Sequence, residues 1–129
     1  MITRRSMQIA LPNGLLFVRA SQIRKFPDID NEKASFWSIP TCVMIQGLVD
    51  SDGETDITIG AVNQVSQSKR PAFDRTLETP SRKLIFEIVP GETVHEVVVP
   101  TGKTRVQIWT DGRHQCAQTV VIGIGCVYT

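Results

Sequence analysis

Residues 94–128, VHEVVVP-TGK-TRVQIWT-DGRHQCAQ-TVVIGIGCVY, decide the fold class. Valine, isoleucine and threonine dominate the stretch, and such β-branched side chains suit a pleated strand better than a helix. The interruptions are Pro100, Gly102 and the Asp111-Gly112 pair, residue types that turns require. Three short strands joined by tight turns are the prediction for this third of the chain.

The same pattern extends upstream. Lys83 to Val89 alternates, with Leu84, Phe86 and Ile88 inward and Lys83 and Glu87 outward. Cys42 to Val49 is the most continuously apolar run, which predicts a central strand covered on both faces. Asp50-Ser51-Asp52-Gly53-Glu54 then reads as a hairpin turn, answered by a partner strand over Thr55 to Val62 with Thr55, Ile57, Ile59 and Ala61 on one face. Leu15 to Ala20 is a further strand, opened by the Pro12-Asn13-Gly14 turn.

Two connections are less regular. Ser21 to Pro40 is polar, and Pro27 followed by Asp28, Asp30 and Glu32 predicts one or two helical turns before Phe36 and Trp37 return to the core. Within residues 63–82, Phe73 and Leu77 fit either one helical face or a strand through Phe73, Arg75 and Leu77. Together these give about seven strands and little helix, in one domain spanning residues 1–129. The expected architecture is all-β: an antiparallel β-sandwich or a squat barrel. In layout alone it resembles immunoglobulin-like sandwich modules, without their Cys–Trp–Cys spacing or tyrosine corner.

Composition narrows the function classes. At 129 residues, 41% hydrophobic and 21% charged, the chain has ordinary globular proportions and is long enough for a core. Its net charge of +1 lacks the basic excess of a dedicated nucleic-acid binder. Charge is nevertheless blocked along the chain. Residues 1–40 hold six basic against three acidic side chains, 41–62 hold four acidic and no basic ones, and 63–83 hold five basic against two acidic. Cys42, Cys116 and Cys126 lie in apolar runs, the pattern of buried thiols in a reducing compartment. No run approaches the roughly 18 apolar residues of a membrane helix, and none follows Arg4 and Arg5 as in a secretory signal. A cytoplasmic location is expected.

Chemistry-bearing motifs are sparse. Asp50, Asp52, Glu54 and Asp56 form an acidic turn like a calcium loop, but Gly53 follows the second acid rather than the third and the flanks read as strands. His114 and Cys116 have no second ligand pair to close a zinc tetrahedron, and as a dyad they lack an orienting third residue. His95 reads as a strand residue. Gly123 and Gly125 lack the lysine and following helix of a phosphate loop, and are better read as a bulge or a close backbone approach. The basic group Lys69, Arg70, Arg75, Arg82 and Lys83 is interrupted by Asp74 and Glu78. No catalytic residue, metal site or cofactor is expected.

One surface stands out. Taking residues 100–103 as a hairpin loop pairs Val97 with Val106 and His95 with Ile108 on one face, and Glu96 with Gln107, Val94 with Trp109 and Val98 with Arg105 on the other. A second loop at residues 111–114 sets Ala117 opposite Ile108 and Cys116 opposite Trp109. Val106 and Ile108 are then core, and the opposite face gathers Trp109 with Glu96, Arg105, Gln107 and Gln118. A tryptophan among polar neighbours anchors interfaces. The competing reading covers Trp109 with the 63–82 connection or the N-terminal segment. The expected function is non-enzymatic contact, with a partner protein or with copies of the same chain, as a bacterial accessory domain or a subunit of a viral or other assembly. A small-ligand or carbohydrate module stacking a ring on Trp109 is the alternative, and a hydrolase or metal-dependent enzyme the remote one.

Overall fold

The computed structural model describes residues 2–89, 91–111 and 117–126, which form ten strands in two five-stranded sheets. The strands are β1 (Arg5–Ile9), β2 (Leu15–Ala20), β3 (Phe36–Ile39), β4 (Cys42–Gln46), β5 (Thr55–Ala61), β6 (Phe73–Glu78), β7 (Lys83–Val89), β8 (Glu92–Val98), β9 (Lys103–Thr110) and β10 (Thr119–Cys126). One helical turn, α1 (Val62–Val65), follows β5. The first sheet has the order β1-β5-β10-β9-β6 and the second β3-β4-β2-β7-β8. Every paired neighbour is antiparallel except β5 and β10, which run parallel. The all-β sandwich expected from the alternation is the observed architecture, with β1 and β3 in addition to the expected strands and residues 73–78 resolved as strand.

The core lies between the sheets. Val18, Val43, Ile45, Ile59, Leu84, Phe86, Val106, Ile108 and Ile122 are all essentially inaccessible to solvent. Each such side chain contributes about 1.5–3 kcal/mol by leaving water, so the inward faces dominate the stability of the fold. Phe36 of β3 and Phe73 of β6 have ring centroids 5.5 Å apart, which brings those two sheet edges face to face. The other two edges, β1 and β8, meet on the opposite side of the sandwich.

Two expected hairpins are corrected. β4 and β5 lie in different sheets, and the Asp50–Asp52 turn carries the chain across the sandwich. β8 and β9 likewise lie in different sheets, so the pairings of Val94, His95, Glu96, Val97 and Val98 with Trp109, Ile108, Gln107, Val106 and Arg105 do not form. The physical reason is that alternation specifies which face of a strand is buried and leaves open which strand it bonds to. Here Thr79 pins the crossover: its N–H donates to the Gly102 carbonyl at 2.8 Å and its hydroxyl to the Thr101 carbonyl at 3.0 Å. β9 and β10 do pair, but with Val121 opposite Trp109 and Ile122 opposite Ile108, in place of Cys116 and Ala117. β10 begins only at Thr119, where the unbroken apolar run begins, so the intervening connection is longer than a four-residue turn. His114 and Cys116 lie outside the described residues.

A third layer covers the outer face of the second sheet. Residues 21–35 run across it without forming the helical turns expected after Pro27. Their backbone serves the sheet instead: the Asn31 carbonyl accepts both the Trp37 indole N–H and the Ala34 N–H at 3.0 Å. Phe26 packs edge-on against Phe17 at 5.4 Å, and Phe17, Trp37 and Met44 form a second apolar cluster beneath this segment. That cover explains why β2, β4 and β7 are buried on both faces.

Candidate functional site

Trp109 is the first site residue to locate; of its two readings, the exposed binding face is corrected and cover by the 63–82 connection is observed. The side chain points to the outer face of the first sheet, as the alternation requires, but is only 3% exposed. Val65 and Val121 pack around it, and its indole N–H donates to the Lys69 carbonyl at 2.8 Å. The Lys69 ammonium in turn donates to the Thr110 carbonyl at 2.6 Å. The 62–69 segment can lie this close because Gly60 and Gly123 carry no side chain. A Cβ on Gly60 would stand 2.8 Å from a Val65 methyl, and one on Gly123 would stand 3.1 Å from the Trp109 ring. The close backbone approach read from the glycines of β10 is therefore what buries the tryptophan.

The other four residues of the expected face are not brought together. Arg105 and Gln107 remain side by side on β9 and converge on Asp74 of β6. Arg105 donates two hydrogen bonds to that carboxylate, at 2.8 and 2.7 Å, and Gln107 a longer one at 3.3 Å. The Arg105 hydrogen bonds hold the Asp74 carboxyl below its usual range despite the opposing effect of burial. Glu96 lies in the other sheet, 3.4 Å from Lys83. Gln118 precedes β10, where its N–H donates to Asp111 at 3.1 Å.

The remaining ionisable groups are dispersed or occupied. Asp50, Asp52 and Glu54 are exposed along a turn, and among the described residues no group of three or more His, Cys, Asp or Glu is placed to hold a metal ion. Arg19 and Glu87, 6% and 0% exposed, form an ion pair beneath the 21–35 segment. The Gly91 N–H donates to the second Glu87 oxygen at 2.8 Å. Burial alone pushes the Glu87 carboxyl up. The hydrogen bonds from Arg19 and Gly91, with the charges of Arg19 and Arg24, outweigh burial and leave it below its ordinary value. Burial pushes the neighbouring Cys42 thiol up to about 12, which makes it unreactive.

A concave feature with room for a partner group lies between β8 and the end of the first sheet formed by the β5–α1 junction, the end of β10 and the residues before β1. It is a cleft of about 740 Å³ at one end of the sandwich, within the span of ligand pockets. Its lining comes from the segment before β1 (Ile2, Thr3), the β5–α1 junction (Ala61, Val62, Asn63), the end of β10 and residues 95–100. The character is apolar, with Val97, Val99 and Ile124 in its wall and Val98 on its rim at 71% exposure. His95 and Glu96 are the ionisable residues among those lining it. His95 stacks on Phe86 at 5.8 Å, and burial, reinforced by the charge of Arg5, holds its imidazole below the usual range. Strand neighbours point to opposite faces, so His95 and Glu96 cannot act on one bound atom as an acid–base pair. Glu96 is the one expected site residue that the structure places here. The sequence reading missed the cleft; the signal that could have found it is Val98, a valine at the outward position of the Val97-Val98-Val99-Pro100 run.

No protein-family model matches the chain, and no curated protein matches it in sequence. Two solved structures are similar along nearly its whole length. One is ComJ from Bacillus subtilis, an inhibitor of the DNA-degrading activity of NucA, with a TM-score of 0.68 and 10% identity over 98% of this chain and 99% of ComJ. The other is crocagin biosynthetic gene J, with a TM-score of 0.54 and 12% identity over 99% of this chain and 98% of that one. At such identities the likeness establishes a shared fold.

Proposed function

We propose that this protein acts without catalysis, by binding a partner protein through the cleft beside β8. The observation that carries this reading is Val98, the most exposed large apolar side chain among the described residues, on the rim of an apolar cleft of about 740 Å³. A single exposed valine is ordinary, but one continuous with the apolar lining of Val97, Val99 and Ile124 extends an apolar patch, and such patches mark contact sites. ComJ offers a precedent, since that protein of the same fold is an inhibitor of NucA activity. The cleft lacks a convergent nucleophile and base among its described lining, which supports a non-enzymatic role.

The test is capture from a lysate of the source cells on immobilised protein, with Val98→Asp and a distant exposed control, Lys33→Asp, beside the unaltered chain. A protein retained by the unaltered chain and by Lys33→Asp, but lost with Val98→Asp, is the expected result. The same set of retained proteins on all three would overturn the reading. Self-association through this edge is measured in parallel as a sedimentation mass that rises with concentration and falls back with Val98→Asp.

A second reading is favoured by the cleft volume, which would accommodate an apolar small molecule. It moves the expected ligand site from Trp109, whose ring is covered, to Val97, Val99 and Ile124. Thermal stabilisation by members of an apolar ligand library, lost on Ile124→Asn, would support it over protein binding.

A further inference from the structure

We propose that β8 receives an extended segment of the partner, which adds to the second sheet as a sixth strand and carries the side-chain order apolar, apolar, basic opposite Val98, Val97 and Glu96. The proposal rests on the protein-binding reading and specifies the chemistry of the partner.

Backbone geometry is the first argument. Among the described residues β8 is the edge of its sheet and pairs only with β7. In an antiparallel ladder successive residues alternate between bonding to the neighbour and pointing away from it. The Val99 N–H donates to the Arg82 carbonyl at 3.0 Å, and the register sets Val97 opposite Leu84. Val97 and Val99 therefore face β7, and the main-chain N–H and C=O of Glu96 and Val98 point away from it. Those four groups are aligned along a free edge, the arrangement used when a peptide extends a sheet.

Side chains supply the second argument. A strand docked antiparallel on this edge places alternate residues on the two faces of the sheet. Its residue opposite Val97 points inward, to the cleft bounded by Val97, Val99 and Ile124, and must be apolar. Its residue opposite Val98 covers a valine that is 71% exposed. The residue opposite Glu96 meets a carboxylate whose side chain is 53% exposed and whose partner, Lys83, is itself exposed and 3.4 Å away. Such a surface pair is weak, so an incoming lysine or arginine can share the carboxylate. Glu92 adds a second acid on the same strand, and β8 carries no lysine or arginine.

The edge is also bounded. Register shifts between Phe86 and Val89 interrupt it on one side, and Pro100, which has no N–H, ends it on the other. A short window of this kind resists indiscriminate strand pairing while leaving room for one short segment.

The experiment pans a random decapeptide library on the full-length protein and follows amide hydrogen exchange with the peptides recovered. Expected are peptides that contain the apolar-apolar-basic order, that lose binding with Val98→Asp, and that slow exchange at the Glu96 and Val98 amides. N-methylation of the peptide residue opposite Glu96 should weaken binding about fivefold to tenfold, the loss of one main-chain hydrogen bond. Glu96→Lys should shift the recovered peptides from basic to acidic at that position. Peptides that depend on Val98 but leave both amides exchanging freely would overturn strand addition and keep the protein-binding reading. Recovery of no Val98-dependent peptide, together with a Val98-dependent protein from the lysate, would likewise remove strand addition alone. Failure of both captures would remove the two together.

Discussion

The indole N–H of Trp109 donates to the main-chain carbonyl of Lys69 at 2.8 Å, which ties the 62–69 segment to the outer face of the first sheet. The bond closes over a ring that is 3% exposed, so the residue contributes packing and a satisfied donor together. Trp109→Ala should cost about 3–5 kcal/mol, the usual loss for a buried aromatic. Trp109→Phe should cost less, because most of the ring remains while the hydrogen bond is lost. Urea unfolding measures both. A Trp109→Ala change that barely moves the midpoint would mean the indole is solvated after all.

The glycines beneath that segment should resist enlargement. A side chain at Gly123 meets the Trp109 ring at 3.1 Å and a Val62 methyl at 3.2 Å from its first carbon. Gly123→Val adds two further methyls into that space and should destabilise by about 1–3 kcal/mol. It should also speed hydrogen exchange in residues 62–66, since the segment must lift. An unchanged exchange pattern with an unchanged midpoint would show that the seat has spare room.

Acid sensitivity should trace to the Arg19–Glu87 pair. The folded protein holds the Glu87 carboxyl below its ordinary value. Its stabilisation is therefore complete above the unfolded-state value, about 4.3, and lost as pH falls through the lower folded value. Glu87→Gln should flatten the stability profile in that acidic window. Arg19→Met should be costlier, about 3–5 kcal/mol, because it leaves a buried carboxylate without its cation. Stability curves from pH 2 to 7 test this, and identical acid limbs for the unaltered chain and Glu87→Gln would assign the sensitivity elsewhere.

Val98→Asp should separate binding from stability. The side chain is 71% exposed and packs on little, so its replacement should change stability by no more than about 0.5 kcal/mol. Partner retention should nevertheless disappear. A large fall in melting temperature would place Val98 among the stabilising contacts and remove it as a selective probe.

Period-two alternation by itself determined most of the strands and their core-facing sides, but not β1 or β3, and it left residues 73–78 between helix and strand. Leu84, Phe86 and Ile88 face inward as the pattern requires, as do Val106 and Ile108, whereas Glu87, read as outward, is buried beneath residues 21–35 because a third layer covers that face. Gly123 signalled a bulge or a close approach, and the second of these is what the structure shows. Partner choice between strands was decided only in three dimensions. Hydrogen bonding along a strand edge carries no side-chain signature, so nothing local distinguished a β8–β9 hairpin from the crossover that Thr79 anchors. The cover over Trp109 and the cleft beside β8 were also tertiary outcomes. Each depends on segments far apart in the chain meeting at one end of the sandwich, where exclusion of water, rather than local propensity, sets the arrangement.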